Sequence, residues 1–226
     1  MGYTRQKIIS KIENATRDMR LFYKQDFINY LGKTIDTDEY YTEVVCEWLL
    51  NNLSVLDSIP TITREKGYFT KGHDGIIKNP DSNRTEEMIA MNMFRQGNIS
   101  YVGKIIDYQT PLKNTRNDKA GKIDLLSYDG CTLRILELKE PKSTESMLRC
   151  VIEGYTYLKT VDKRKLLESF KLPSDTIVVA NPLVHIDSVQ RHEMDEQRPM
   201  LKKLIDKLNC KPLYFDDKEN YTIMER

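Results

Sequence analysis

Two β-prone runs, Lys122–Tyr128 and Thr132–Lys139, are separated by Asp129-Gly130, a dipeptide suited to the tight turn of a hairpin. A hairpin fixes which side chains share a face, because successive residues of a strand point to opposite sides. In the second run Leu133, Ile135, Glu137 and Lys139 fall on one face. If Asp129-Gly130 is a two-residue loop, Tyr128 pairs with Cys131 and Asp124 lies opposite Ile135, diagonal to Glu137. Diagonal partners stand about 7–8 Å apart, close enough for two carboxylates to reach one cation. Two acids and a lysine left unpaired on a covered face would cost on the order of several kcal/mol. A hard divalent cation such as Mg²⁺, bound through oxygen, offsets that cost. Asp124, Glu137 and Lys139 are therefore the candidate centre, provided the register does not slip by one residue and separate them.

The remaining chain supplies a frame. Residues 1–56 read as helical: Ile8, Ile9, Ile12, Met19, Leu21, Phe22, Phe27 and Leu31 recur at roughly helical spacing, with Gly32 as a stop. A second helix fits Asp38–Leu53, and Thr61–Ile77 reads as a short hairpin or an irregular loop. A helix over Arg84–Gln96 precedes a strand at Ile99–Tyr108 and the two hairpin runs. Pro141 ends the last of these, and Ser143 or Thr144 caps a helix to about Thr160. Thr176–Ala180 predicts a buried strand stopped by Asn181-Pro182, followed by a helix near Val189–Leu208 and a last strand or hairpin over Pro212–Ile223. From residue 83 the order is helix, three strands, helix, strand, which predicts an α/β fold with a mixed central sheet flanked by helices. Residues 1–78 form an N-terminal, mainly helical extension in this reading, and 79–226 the main domain.

The 35 basic and 34 acidic residues leave a formal net charge of +1, so any nucleic-acid footprint must be local. The loop Pro111–Lys122 offers one such patch, with Lys113, Arg116, Lys119 and Lys122 against Asp118. Lys142 and Arg149, beyond the acid strand, form a second group. Both could contact phosphates, or could be solvated surface. The four cysteines include no CxxC pair and the three histidines are scattered, so the usual zinc spacing is absent. No stretch approaches the roughly 18 apolar residues of a membrane span, and no signal-peptide core opens the chain, so the expected location is cytoplasmic.

Glu86 falls near the middle of the Ile89/Ala90/Met93/Phe94 face of its helix, and Glu87 toward the edge. Either it joins the acids of the hairpin, or it is a wet first-turn residue that favours the helix dipole. Glu153 and Tyr157 point away from the Leu148/Val151/Ile152/Tyr155 stripe of their helix, which would leave both in solvent.

The segments GKIDLL and LRILELK resemble the signature of the PD-(D/E)xK nuclease superfamily, which includes restriction endonucleases, Holliday-junction resolvases and RecB-like nucleases. The resemblance covers roughly residues 83–182, with Ile123 where the motif has proline. A second ExK, Glu140-Pro141-Lys142, follows at once, but a proline should not sit inside the active strand. The resemblance implies a restriction-endonuclease-like core and a metal-dependent nuclease, a hydrolase of phosphodiester bonds, with DNA as the expected substrate. It implies Asp124 and Glu137 as ligands of Mg²⁺ (Mn²⁺ substituting), Glu86 as the acid of the first core helix and Lys139 as the assisting lysine. Glu153 and Tyr157, spaced ExxxY, become supporting residues similar to the QxxxY pattern of RecB-like members. Two rival readings stand: a nucleic-acid- or partner-binding module that keeps the fold without the chemistry, and a structural protein in which Glu137 and Lys139 are an ordinary surface pair. The N-terminal helices could serve a homodimer or a protein partner.

Overall fold

The computed structural model describes residues 2–114 and 120–225. Helix α1 (Arg5–Ala15) opens at Thr4, whose hydroxyl accepts from Lys7 N. The helix does not run on to Gly32. The chain tightens into 3-10 turns over Thr16–Lys24 and Asp26–Asn29, with a break at Asp18 (φ −142°, ψ 85°). Their three-residue repeat stacks i and i+3 and so turns both Met19 and Phe22 inward. Helix α2 (Tyr41–Asn51) starts later than Asp38 because Asp38 holds a left-handed backbone (φ 56°). Thr61–Ile77 carries no hairpin; its one sheet-like contact is an isolated parallel bridge from Ile62 to Val161.

Helix α3 (Thr85–Gln96) leads into β1 (Asn98–Ile99) and β2 (Gly103–Pro111). The single strand expected over Ile99–Tyr108 is thus a tight hairpin and a longer strand. The turn uses left-handed backbone at Tyr101 (φ 74°) and Gly103 (φ 79°), and a Cβ at Gly103 would overlap the Tyr128 carbonyl. Strands β3 (Lys122–Tyr128) and β4 (Thr132–Lys139) match the two β-prone runs. Helix α4 (Met147–Thr160) is capped by Ser146 instead of Ser143 or Thr144: its hydroxyl accepts from Arg149 N at 3.1 Å and donates to Ile28 O at 2.6 Å.

After the short α5 (Lys163–Ser169), strand β5 (Ile177–His185) continues through Asn181-Pro182. Pro182 pairs with Glu137 at a level where the next strand has not begun, and a strand with one neighbour tolerates a residue lacking N–H. The helix expected over Val189–Leu208 is two, α6 (Val189–Asp195) and α7 (Pro199–Leu208), because proline suits a first turn and breaks an interior. Strands β6 (Leu213–Asp216) and β7 (Thr222–Met224) close the chain as a hairpin.

The seven strands form one mixed sheet in chain order, antiparallel from β1 to β4, parallel from β4 to β6, and antiparallel again to β7. Two apolar layers pack on it. In one, Ile89, Ala90 and Met93 of α3 meet Leu125, Leu136 and Leu138. In the other, α1, α2, α4 and α7 share a continuous core with Leu126, Leu133 and Ile135. No helix of the described residues is long and apolar enough to cross a membrane.

Candidate functional site

The β3–β4 register sets the geometry. Tyr128 pairs with Leu133 and Leu125 with Leu136, so the loop is two residues longer than a two-residue turn. The cause is Asp129, whose Oδ1 accepts from Cys131 N (3.0 Å) and Thr132 N (2.8 Å) and so draws both residues into the turn. A shift of two residues preserves the faces, and it moves Asp124 from opposite Ile135 to the level of Glu137. Pairing stops at Leu125, where the strands part. The Leu138 N–H, left without a ladder partner there, donates to Asp124 Oδ2 at 3.0 Å. Gln109 Nε2 donates to Asp124 Oδ1, also at 3.0 Å. Gln109 holds a left-handed backbone (φ 48°), a strained state for a non-glycine residue beside the site. Nothing in its sequence context announces it.

Glu137 and Lys139 are buried beneath α4, at 2% and 5% exposure. Gly154 faces Glu137 across this packing, and a Cβ there would lie 3.6 Å from Glu137 Cβ, an ordinary contact distance. Lys139 Nζ stands 2.7 Å from Glu137 Oε1, 3.1 Å from Glu145 Oε2 and 3.6 Å from Glu153 Oε2. Glu153 and Tyr157 therefore do not face solvent as the helical wheel implied. Both are buried, and the Tyr157 hydroxyl donates to Glu153 Oε1 at 2.8 Å. The wheel assumed one covered face, whereas α4 lies between the sheet and the N-terminal turns and is buried on both. Glu145, which the sequence reading missed, completes the ring of carboxylates around Lys139.

Glu86 approaches from α3. Its Oε1 accepts from Glu140 N at 3.4 Å, and it shares with Gln109, Asp124, Lys142 and Glu145 the wall of an open cavity of about 530 Å³. Glu87 lines the same cavity but pairs with Arg84 (3.3 Å). Burial pushes the Asp124 carboxyl up to about 7, against the opposing pull of Lys139. Burial likewise raises Glu86, and raises Glu137 well above the carboxylate range with Glu153 adding to the effect. For Lys139 burial alone would lower the value, but the charges of Glu137 and Glu153 outweigh it and hold the ammonium well above the usual lysine range.

The basic residues divide. Lys142 is exposed on the cavity wall, Lys122 is exposed at the start of β3, and Lys113 is half-buried. Arg149 is turned inward, 2.8 Å from Glu145 and 3.8 Å from Glu153. Arg116 and Lys119 lie outside the described residues.

A hard cation fits the donors at this end of the sheet. They are carboxylate oxygens, and Glu137 Oε2 is buried with no hydrogen-bond partner. Glu86, Asp124 and Glu137 are not, however, drawn into one tight ligand set. Among the described residues that distinction belongs to His185, Asp216 and Asp217, whose ligand atoms lie within 4.8 Å of one another. There the Asp187 N–H donates to His185 Nδ1 (3.1 Å), which leaves the ring proton on Nε2, facing Asp217 at 3.3 Å. A metal at Nε2 would have to displace that proton. None of the protein-family models, curated proteins or solved structures with which the chain was compared matches it.

Proposed function

We propose that the protein is a divalent-metal-dependent nuclease with a PD-(D/E)xK-type, restriction-endonuclease-like core, hydrolysing phosphodiester bonds with DNA as the first candidate substrate. The observation that carries this reading is the meeting of Asp124, Glu137 and Lys139 where β3 and β4 part, with a buried Glu137 oxygen lacking a partner and an open cavity at Asp124. Asp124 and Glu137 would hold Mg²⁺ or Mn²⁺, with Glu86 joining directly or through water. Such an ion, when bound, supplies an acidified water and neutralises phosphate charge. Lys139 would orient the attacking water or stabilise the charge that develops on the phosphate, and Glu153, fixed by Tyr157, keeps that ammonium in place. Lys142, and the basic loop before Asp124, would hold flanking phosphates without reading sequence.

The cavity wall carries Glu86, Glu87, Asp124, Glu140 and Glu145 against Arg84 and Lys142, an acidic excess that disfavours a polyanion until cations are bound. The test is cleavage of labelled linear, single-stranded and circular DNA with Mg²⁺ or Mn²⁺, comparing wild type with Asp124→Asn and Lys139→Ala. Metal-dependent cutting that falls at least about 100-fold in both variants is expected. Well-folded wild type that binds DNA without metal and cuts none of these would favour the binding-module reading.

A further inference from the structure

Tyr23 lies on the 3-10 turn Thr16–Lys24, outside the span of the nuclease resemblance, yet it is packed into the site at 2% exposure. Its ring stands edge-on to Tyr157, with centroids 6.0 Å apart at 80°, and the Arg149 guanidinium lies 5.9 Å from its centre. Two arms run from this ring to Lys139. Along one, the Tyr157 hydroxyl donates to Glu153 Oε1 (2.8 Å) and Glu153 Oε2 stands 3.6 Å from Lys139 Nζ. Along the other, Arg149 holds Glu145 at 2.8 Å, and Glu145 Oε2 stands 3.1 Å from the same ammonium.

Glu153 Oε2 has no hydrogen-bond donor of its own, so the Tyr157 contact on Oε1 fixes where that carboxylate stands. The ammonium is shared among Glu137, Glu145 and Glu153, and its position follows from how far the latter two stand off. We propose that Tyr23 is a positioning residue for Lys139, acting through Tyr157–Glu153 and Arg149–Glu145, so that the N-terminal segment is a working part of the site. The kinetic consequence rests on the nuclease reading; the positional one does not.

The experiment compares wild type, Tyr23→Phe and Tyr23→Leu in the full chain. The first readout is the side-chain ¹H–¹⁵N signal of the Lys139 ammonium, assigned by its loss in Lys139→Arg. The second is kcat and KM for Mg²⁺-dependent DNA cleavage. Tyr23→Leu should move the ammonium signal and speed its exchange with water, and Tyr23→Phe, which restores the ring, should bring it back most of the way. In Tyr23→Leu kcat should fall about tenfold with KM within about twofold. A Lys139 signal unchanged in both variants would overturn the proposal. So would equal changes in kcat and KM with the signal unmoved. If Tyr23→Leu does not fold, Tyr23→Met, which also removes the ring, takes its place under the same expectations. A shifted signal in a protein that cuts no DNA would remove the nuclease reading and leave the positioning intact.

Discussion

Glu86, Asp124 and Glu137 each bind a proton more tightly than a free carboxyl does, with burial the first cause in every case. An acid with a raised folded pKa binds more protons folded than unfolded, so stability falls as pH rises between the two values. For Asp124 that window runs from its ordinary value to about 7. Thermal denaturation should therefore show a Tm that rises as pH is lowered from 8 to 6. Asp124→Asn should flatten that slope and stabilise the protein at pH 8 by on the order of 1 kcal/mol. A Tm that climbs with pH over this range would contradict the assignment. Strand alternation together with the Asp129-Gly130 hairpin made Asp124, Glu137 and Lys139 candidates in the sequence. Glu145 and Gln109 were not, because one sits in the connection before α4 and the other depends on a strained backbone that no residue pattern encodes.

Among the elements, one close approach shapes the site: Gly121, just before β3, admits the Tyr157 ring. A Cβ at Gly121 would overlap the Tyr157 hydroxyl and lie 2.9 Å from its Cζ. Gly121→Ala should therefore displace Tyr157 and cost roughly 1–3 kcal/mol in chemical denaturation, with DNA cleavage reduced more than stability explains. Gly154→Ala, at ordinary contact distance, serves as the tolerated control. Strands β3 and β4 were legible to the residue because alternation and the Asp-Gly dipeptide agree. The register was off by two because the Asp129 side chain, competing for backbone N–H groups, lengthens the turn. Helix ends failed for similar local reasons: a left-handed Asp38, a proline at the start of α7, and a cap at Ser146 selected by its second bond to Ile28 O.

Across the whole molecule, the N-terminal helices are bound into the same core as the sheet. Ile8 and Ile12 of α1 and Val44, Val45 and Leu49 of α2 join Leu201 and Leu204 of α7 in one apolar layer. Polar contacts reinforce it: Glu43 accepts from Met200 N and Leu201 N at 2.9 Å each, and Arg198, buried over the Tyr40 ring, donates to Thr42 at 2.7 Å. The apolar stripes of α1 and α2 are spent inside the chain, something periodicity cannot disclose, since it marks a buried face without naming what covers it. Deletion of residues 1–40 should accordingly expose α2 and α4 and abolish cooperative unfolding, as followed by calorimetry. A truncated chain that melts like the full one would contradict this packing. The nuclease reading stands or falls on whether Asp124 and Glu137 hold a divalent cation. Its most direct test is the anomalous diffraction of crystals soaked in Mn²⁺. A manganese peak within ligand distance of both carboxylates is expected; a peak confined to His185, Asp216 and Asp217, or none at all, would remove the metal centre from this end of the sheet.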